Sequence, residues 1–372
     1  MKGLLAASLG ALALAVPAAQ AAAPRPDARA WLVENGATGE VLTAHAAGAR
    51  VPIASITKLM TVLVTLEHAR LADVVRVDPE AAAVGESSIG LRPGEPITVR
   101  DLIEAALIQS ANDAAYALAL HVGGGDVTRF VAMMNAKARR LGLTDTHFVR
   151  PDGLDAAGHV SSARDVTLLA RTIMRRPFVR DVVRRRTAVA AGRTLRTWND
   201  LLGRFPGLFG VKTGHTGAAG WSEVAAVRRG GLTLYAAILG SPGRTERNAA
   251  LTRLLRYGLS RYRTVEAVSR GRVYARGQAP YGLEPVALMA ARPVVRIVRV
   301  GRPLVERVVA PTAVRLPVSR GQRLGEVRVY AGRRLLARQD LVAVRAVGRP
   351  GVVRRVRWYA GRTLHNMAGW IR

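Results

Sequence analysis

Ser55-Ile56-Thr57-Lys58 places a hydroxyl and an amine three residues apart. On a helix such positions are neighbours on one face, with Cβ atoms about 5–6 Å apart. A lysine there can take the serine proton if its own pKa is depressed, which desolvation and neighbouring cations accomplish. The N–H of a serine near a helix N-terminus is also free to stabilise an oxyanion. Alone the pair says little, because a serine three before a lysine is common on solvated helices. Ser110-Ala111-Asn112 follows between two helical stretches. Its side chains can relay a proton to a leaving amine and orient a peptide substrate, or simply cap a helix. Lys212-Thr213-Gly214 comes next, ahead of a hairpin. A strand edge bearing Lys and Thr can hold a terminal carboxylate, and Gly214 can leave room for substrate. The N–H of His215 can then supply a second oxyanion donor. A surface turn with a chance lysine is the alternative. Only Lys2, Lys58, Lys137 and Lys212 occur in the whole chain, so two of the four lysines fall in these motifs.

The elements that must carry these groups are legible in outline. Ala30–Val33 and Glu40–Thr43 read as two strands around a turn-rich segment. Ile56, Leu59, Met60, Leu63 and Leu66 mark one face of a helix starting near Ser55 and running to Ala69. Val99–Leu107 and Ala114–Leu120 read as helical, interrupted around Ser110-Asn112, and Val127–Leu141 as a helix closed by Gly142. Val224–Leu239 holds two apolar runs around Arg228-Arg229-Gly230-Gly231, a hairpin signal, and Arg247–Tyr257 a last helix. After Tyr262 short β-rich runs alternate with Gly, Pro and Arg turns: Pro293–Val300, Val308–Leu316, Leu324–Tyr330 and Leu335–Val344. From Val352 on, Trp358, Leu364, Met367, Ala368 and Ile371 can share a helix face flanked by arginines. A basic amphipathic helix of this kind suits a membrane surface, and docking on its own domain is the alternative.

The chain has 372 residues, a length that suggests two domains, and a net charge of +30. Nearly every cation is arginine, which looks like compositional bias rather than selection for phosphate contacts. From Arg270 onward 22 arginines face only Glu284, Glu306, Glu326 and Asp340. That excess suits an anionic membrane or wall polymer as well as nucleic acid. No nucleic-acid reader module accompanies it, so no nucleic-acid partner is expected. Met1-Lys2, a short apolar run and Ala19-Gln20-Ala21 describe a secretory signal, and the run is short of the roughly 20 residues a span needs. With no cysteine and no H-E-x-x-H pair among seven histidines, neither thiolate chemistry, a metal nor another cofactor is expected.

The three motifs, in this order, form the set of active-site-serine penicillin-binding proteins and class A β-lactamases. Beyond the motifs, four segments resemble the low-molecular-mass D-alanyl-D-alanine carboxypeptidases of serine peptidase family S11. They are Pro52-IASITKLMT, Glu86-SSIGLRPGEPITVRDLIEAALIQSANDAAYALA, Asp152-GLDAAGHVSSARDVTLLA and Gly210-VKTGHTGAAGW. The likeness runs from about Ala30 to Tyr257, and the β-rich segment and tail also resemble that family's C-terminal half. It implies an α/β (α+β) fold with a central antiparallel sheet flanked by helices, a small all-β domain and an amphipathic tail. The expected domains are a signal peptide (1–21), a serine peptidase domain (24–262), an all-β domain (263–350) and a membrane-surface helix (351–372).

Carried over, the resemblance implies Ser55 as the acylated nucleophile, Lys58 as its base and Ser110 in proton transfer. Asn112 would contact the substrate backbone, and Lys212 and Thr213 would bind the terminal carboxylate of the D-Ala-D-Ala stem peptide, with Arg247 near it; Gly214 and His215 complete the expected substrate-binding residues. The expected partners are peptidoglycan stem peptides, β-lactams and the inner-membrane surface, and the expected place is the periplasm, on the outer face of the inner membrane. A D,D-endopeptidase would use the same machinery, and a class A β-lactamase would share the motifs. The latter would need a deacylating glutamate, and no E-x-x-L-N segment lies between Ser110 and Lys212. A non-catalytic wall-binding scaffold would not need Ser55, Lys58, Ser110 and Lys212 intact. Two positions depart from the family pattern. Arg150 stands where Asn usually precedes the proline, and Glu223 puts a carboxylate in a largely apolar hairpin, either exposed or paired with an arginine.

Overall fold

The computed structural model describes residues 5–10 and 22–368. The leader reading of residues 1–21 therefore falls mostly outside the described residues. Two compact units form, one over Ala21–Arg261 and one from Tyr262 onward that also takes in Leu5–Gly10.

The first unit is built on a five-stranded antiparallel sheet in the order Val41–His45, Ala30–Asn35, Leu232–Ser241, Gly220–Arg229, Leu208–Thr216. The hairpin signal is realised with Gly230-Gly231 at its tip, both at positive φ, so that Leu232 pairs with Arg229. Side chains alternate between two covered faces, which explains the near-continuous apolar runs. Ala237 and Leu239 share a core with Ala170 and Ile173 of helix Ala163–Ile173. On the opposite face lies helix Arg244–Ser260. Gly258 allows its close approach, since a Cβ there would stand 2.9 Å from the side chains of both Leu234 and Val33.

Beside the sheet, helix Lys58–His68 is buried almost all round, with Leu59, Met60, Val62, Leu63 and Val64 in the core. Asn112–Gly123 and Val127–Leu141 pack against it. Asp126 accepts hydrogen bonds from Thr128 and Arg129 N–H to start the latter, and Gly142, at φ 74°, ends it. One boundary differs from the periodicity. The helix does not begin at Ser55, because Ala54–Thr57 is a 3₁₀ turn and the α-helix starts at Lys58. Two glycine-bearing segments, those of Gly153 and Gly214, press on this turn.

In the second unit, Leu5–Gly10, Leu304–Pro311, Arg323–Ala331, Arg334–Ala343, Val286–Ala290 and Val273–Gly277 form a six-stranded sheet in that order. Tyr262–Val268 and Val294–Arg299 pair separately. Val268, Val286, Leu288, Val327 and Leu341 centre its core. Among the described residues no helix is long and apolar enough to cross a membrane. The C-terminal helix, Val352–Ala368, begins against this unit's own Tyr281-Gly282 turn. The Tyr281 and Trp358 rings meet edge to face at 5.2 Å, and Arg354 donates to the Gly282 carbonyl at 3.1 Å.

Candidate active site

Ser55 sits on the Ala54–Thr57 turn, wedged between two chain segments that only glycine allows so close. A Cβ on Gly153, itself at φ 86°, would fall 2.2 Å from the Ala54 carbonyl oxygen. A Cβ on Gly214 would lie 2.7 Å from the Ile53 carbonyl oxygen and 3.2 Å from the Ser55 nitrogen. Gly214 thus makes room for the serine turn, a different reason from the substrate space expected of it. Beneath the turn, His159 accepts the Val149 N–H at Nδ1 (3.0 Å), so its Nε2 carries the proton toward Thr57 Oγ1 at 2.7 Å.

Lys58 is fully buried. Its Nζ donates to Ser55 Oγ at 2.7 Å, Asn112 Oδ1 at 2.7 Å and the Asp152 carbonyl at 2.6 Å. All three ammonium donors therefore have acceptors, which fixes the nitrogen on the serine oxygen. Burial pushes its pKa down to about 7, against the opposing pull of Asp152, Asp113 and Glu86. The desolvation expected from sequence is thus present, and the three carboxylates oppose it.

Ser110 follows a wide turn at Ala105–Gln109 and takes a left-handed conformation, φ 67°. Neither Ser110 nor Asn112 caps a helix by its side chain. Instead the twist turns Ser110 Oγ toward Lys212, which donates to it at 2.9 Å and to the Thr213 carbonyl at 2.9 Å. Asn112 opens helix Asn112–Gly123, and its Nδ2 donates to the Gly85 carbonyl at 3.0 Å. Burial holds the Lys212 ammonium well below the usual lysine range, and Lys58 adds to this. The three motifs therefore meet in two linked contacts, Ser55–Lys58–Asn112 and Ser110–Lys212.

These groups border a cavity of ≈ 240 Å³ lined by Ser55, Ser110, Asn112, Thr213, Gly214, His215 and Arg247, together with Glu86, Ser87, Leu154, Trp198 and Trp221. Arg247 is 1% exposed; its Nη2 donates to Asp200 Oδ2 at 3.2 Å, and its Nε lies 3.3 Å from Glu223 Oε2. Glu223 is therefore buried and paired, the second of the two alternatives left open. Arg150 meets Asp152 with two parallel hydrogen bonds, of 3.0 and 2.8 Å, at the start of the Gly153 loop. Among the described residues no cluster of metal-ligating side chains occurs.

Several contributors had no signal in the motifs. Asp113, fully buried, accepts from Ser88 Oγ and from the Ile89 and Leu91 N–H groups, holding the loop that carries Glu86 and Ser87. Its place directly after Ser110-Ala111-Asn112, in the first turn of a helix, is a readable clue. Trp198 and Asp200 come from an irregular segment before the Lys212 strand, where no periodicity marks them.

The D-alanyl-D-alanine carboxypeptidase family pattern matches residues 17–243. The chain is 30% identical over 340 residues to D-alanyl-D-alanine carboxypeptidase DacF of Bacillus subtilis, covering 87% of this chain and 86% of that one. It is 33% identical to DacD of Salmonella typhimurium, covering 95% and 97%. Among solved structures, penicillin-binding protein 5 of Haemophilus influenzae matches with a TM-score of 0.65 and 26% identity, covering 88% of this chain and all of that one.

Proposed function

The chain belongs to the D-alanyl-D-alanine carboxypeptidases, serine hydrolases acting on peptidoglycan, and we propose that Ser55 is its nucleophile in removing the terminal D-Ala from stem pentapeptides. The observation that carries this assignment is the 2.7 Å contact between Lys58 Nζ and Ser55 Oγ at the floor of the cavity. A neutral Lys58 accepts the Ser55 proton as Oγ attacks the penultimate D-Ala carbonyl. The Ser55 N–H and the His215 N–H receive the developing oxyanion. The proton taken by Lys58 passes through Ser110 to the departing D-Ala nitrogen, and Lys212, which donates to Ser110 Oγ at 2.9 Å, keeps that hydroxyl in place. Asn112 orients the substrate backbone, while Thr213 and Arg247, with Lys212 behind them, hold the terminal carboxylate. Water then hydrolyses the Ser55 ester and completes the cycle. β-Lactams, which resemble the same substrate, acylate Ser55.

Export through cleavage of the leader, and residence on the periplasmic face of the inner membrane, complete the reading. The exposed Arg355 and Arg357 of the C-terminal helix, beside Val352, Val353 and Val356, support a membrane-surface role. Digestion of purified muropeptides tests the activity. Loss of one alanine from pentapeptides supports carboxypeptidation, and release of monomers from cross-linked dimers as the main product would replace it with endopeptidation.

A further inference from the structure

Glu223 belongs to none of the three motifs, yet it stands directly behind the cavity. It pairs across the strands with Thr213, so both side chains leave the same face of the sheet. Helix Arg244–Ser260 covers that face and brings Arg247, which lines the cavity with Thr213, against Glu223, which does not. Glu223 is fully buried, with the Asn199 side chain beside its carboxylate. Its partner is the Arg247 guanidinium, 3.3 Å away and itself 1% exposed.

A buried carboxylate is costly even when paired, and an apolar residue would fill a hairpin core more cheaply. Its place behind the arginine gives it an effect on substrate. Asn248 Oδ1 and Asp200 Oδ2 hold the Arg247 guanidinium in place. We propose that Glu223 acts through Arg247 on recognition of the substrate's terminal carboxylate, setting the net charge that Arg247 presents to the cavity. This rests on the carboxypeptidase reading above and adds a residue to it.

The groups facing Glu223 are few. Helix Arg244–Ser260 contributes Arg247 and, one step removed, Arg244, which binds Asp200 at 2.6 and 2.8 Å. The segment before the Lys212 strand contributes Asn199 and Asp200, strand Leu232–Ser241 opposes it with Ile238, and Lys212, on the other face of the sheet, acts on it only by its charge. Burial pushes the Glu223 carboxyl up to about 7 against the pull of Arg247. Below that pH the carboxyl is neutral and the cavity keeps the full guanidinium charge. Above it, the carboxylate offsets part of that charge, and an incoming carboxylate is bound more weakly.

The test compares the wild-type enzyme with Glu223→Gln on a peptide ending in D-Ala-D-Ala and on its C-terminal carboxamide, from pH 5.5 to 8.5. For the acid peptide, the wild-type KM should rise by roughly tenfold across pH 7, the scale of one partly screened unit charge. In Glu223→Gln it should stay near the low-pH value, while the carboxamide shows the same KM profile in both proteins. Fluorescent penicillin labelling reports the integrity of Ser55 in each. A wild-type enzyme without D-Ala release would sink the carboxypeptidase reading and this inference with it. An active, penicillin-labelled Glu223→Gln enzyme that keeps the wild-type KM profile would sink the role of Glu223 alone. So would a change that falls equally on the acid and carboxamide peptides.

Discussion

Lys58 Nζ stands 2.7 Å from Ser55 Oγ with no solvent-exposed surface of its own, and this one contact makes acylation depend on pH. With its pKa pushed down to about 7 by burial, Lys58 is protonated below that pH and cannot accept a proton. The second-order rate of acylation by a penicillin should rise through pH 7 and level off above it. Lys58→Arg keeps a cation that stays protonated throughout, and should slow acylation by about 10²–10⁴-fold. A rate that is flat between pH 5.5 and 8.5 in the wild type would contradict Lys58 as the base.

Removing the nucleophile should separate chemistry from folding. Ser55→Ala should abolish covalent labelling by fluorescent penicillin and all release of D-Ala. The far-UV spectrum should be unchanged and the Tm should stay within a few degrees, since only one partly exposed hydroxyl is lost. Stoichiometric labelling of the variant would mean that another residue is acylated.

Glycines 153 and 214 clamp the serine turn from two sides, and the clamp can be tested one methyl at a time. Gly214→Ala would set a Cβ 2.7 Å from the Ile53 carbonyl oxygen, so strand or turn must shift. A stability loss of about 1–3 kcal/mol is expected for such overpacking. The displacement also moves Ser55, so acylation should slow by at least tenfold in the protein that remains folded. Urea titration and penicillin labelling give the two numbers. Wild-type acylation in a folded Gly214→Ala protein would show that the glycine does not set the position of Ser55.

How far the sequence led can be judged at these same residues. Ser55, Lys58 and Lys212 are legible because reactive residue types fall in ordered motifs; the three-residue spacing brings Lys58 to Ser55, whereas Lys212 meets Ser110, which no spacing foretells. The reason for Gly214 was not legible. It depends on the approach of a strand more than 150 residues from the turn it touches, and no local pattern encodes that. The hairpin ending at Ser241 and the helix closed by Gly142 follow from turn chemistry and local periodicity. Strands Tyr262–Val268, Val273–Gly277 and Val286–Ala290 carry no clear strand signal, because they are short and bordered by arginine, glycine or proline. Glu223 was visible as an anomaly, but its pairing with Arg247 exists only once a helix lies over the hairpin.

His159 makes the peptidase unit sensitive to acid. Burial pushes its pKa down to about 4, while an unfolded histidine titrates near about 6.5. The neutral ring, held between the Val149 N–H and Thr57, therefore contributes stability that is complete above pH 6.5. That contribution is lost as the pH falls toward 4, because the unfolded chain takes up the proton first. The full span is on the order of 3 kcal/mol. Urea midpoints at pH 7.5 and 4.5 should differ by less in His159→Gln than in the wild type. Equal losses in the two proteins would assign the acid sensitivity elsewhere.

The C-terminal helix presents a last choice, between docking and membrane binding, and its first turns already bear on it. Trp358 is occupied by Tyr281, and Arg354 by the Gly282 carbonyl, so the start of the helix is fastened to its own unit. Arg355 and Arg357 remain exposed beside Val353 and Val356, available to an anionic lipid surface. All the proposed catalytic and binding residues lie in the unit that ends at Arg261. Deleting residues 352–372 should therefore leave kcat and KM on a soluble pentapeptide within about twofold, a change too small to signal a damaged site. In co-sedimentation with vesicles containing anionic lipid, the full chain should pellet and the shortened chain should stay in solution. Glutamate at both Arg355 and Arg357 should weaken pelleting in low salt, because the attraction is electrostatic and screened. A shortened chain that pellets as well as the full one would place membrane binding elsewhere, with the arginine-rich β unit as the next surface to test.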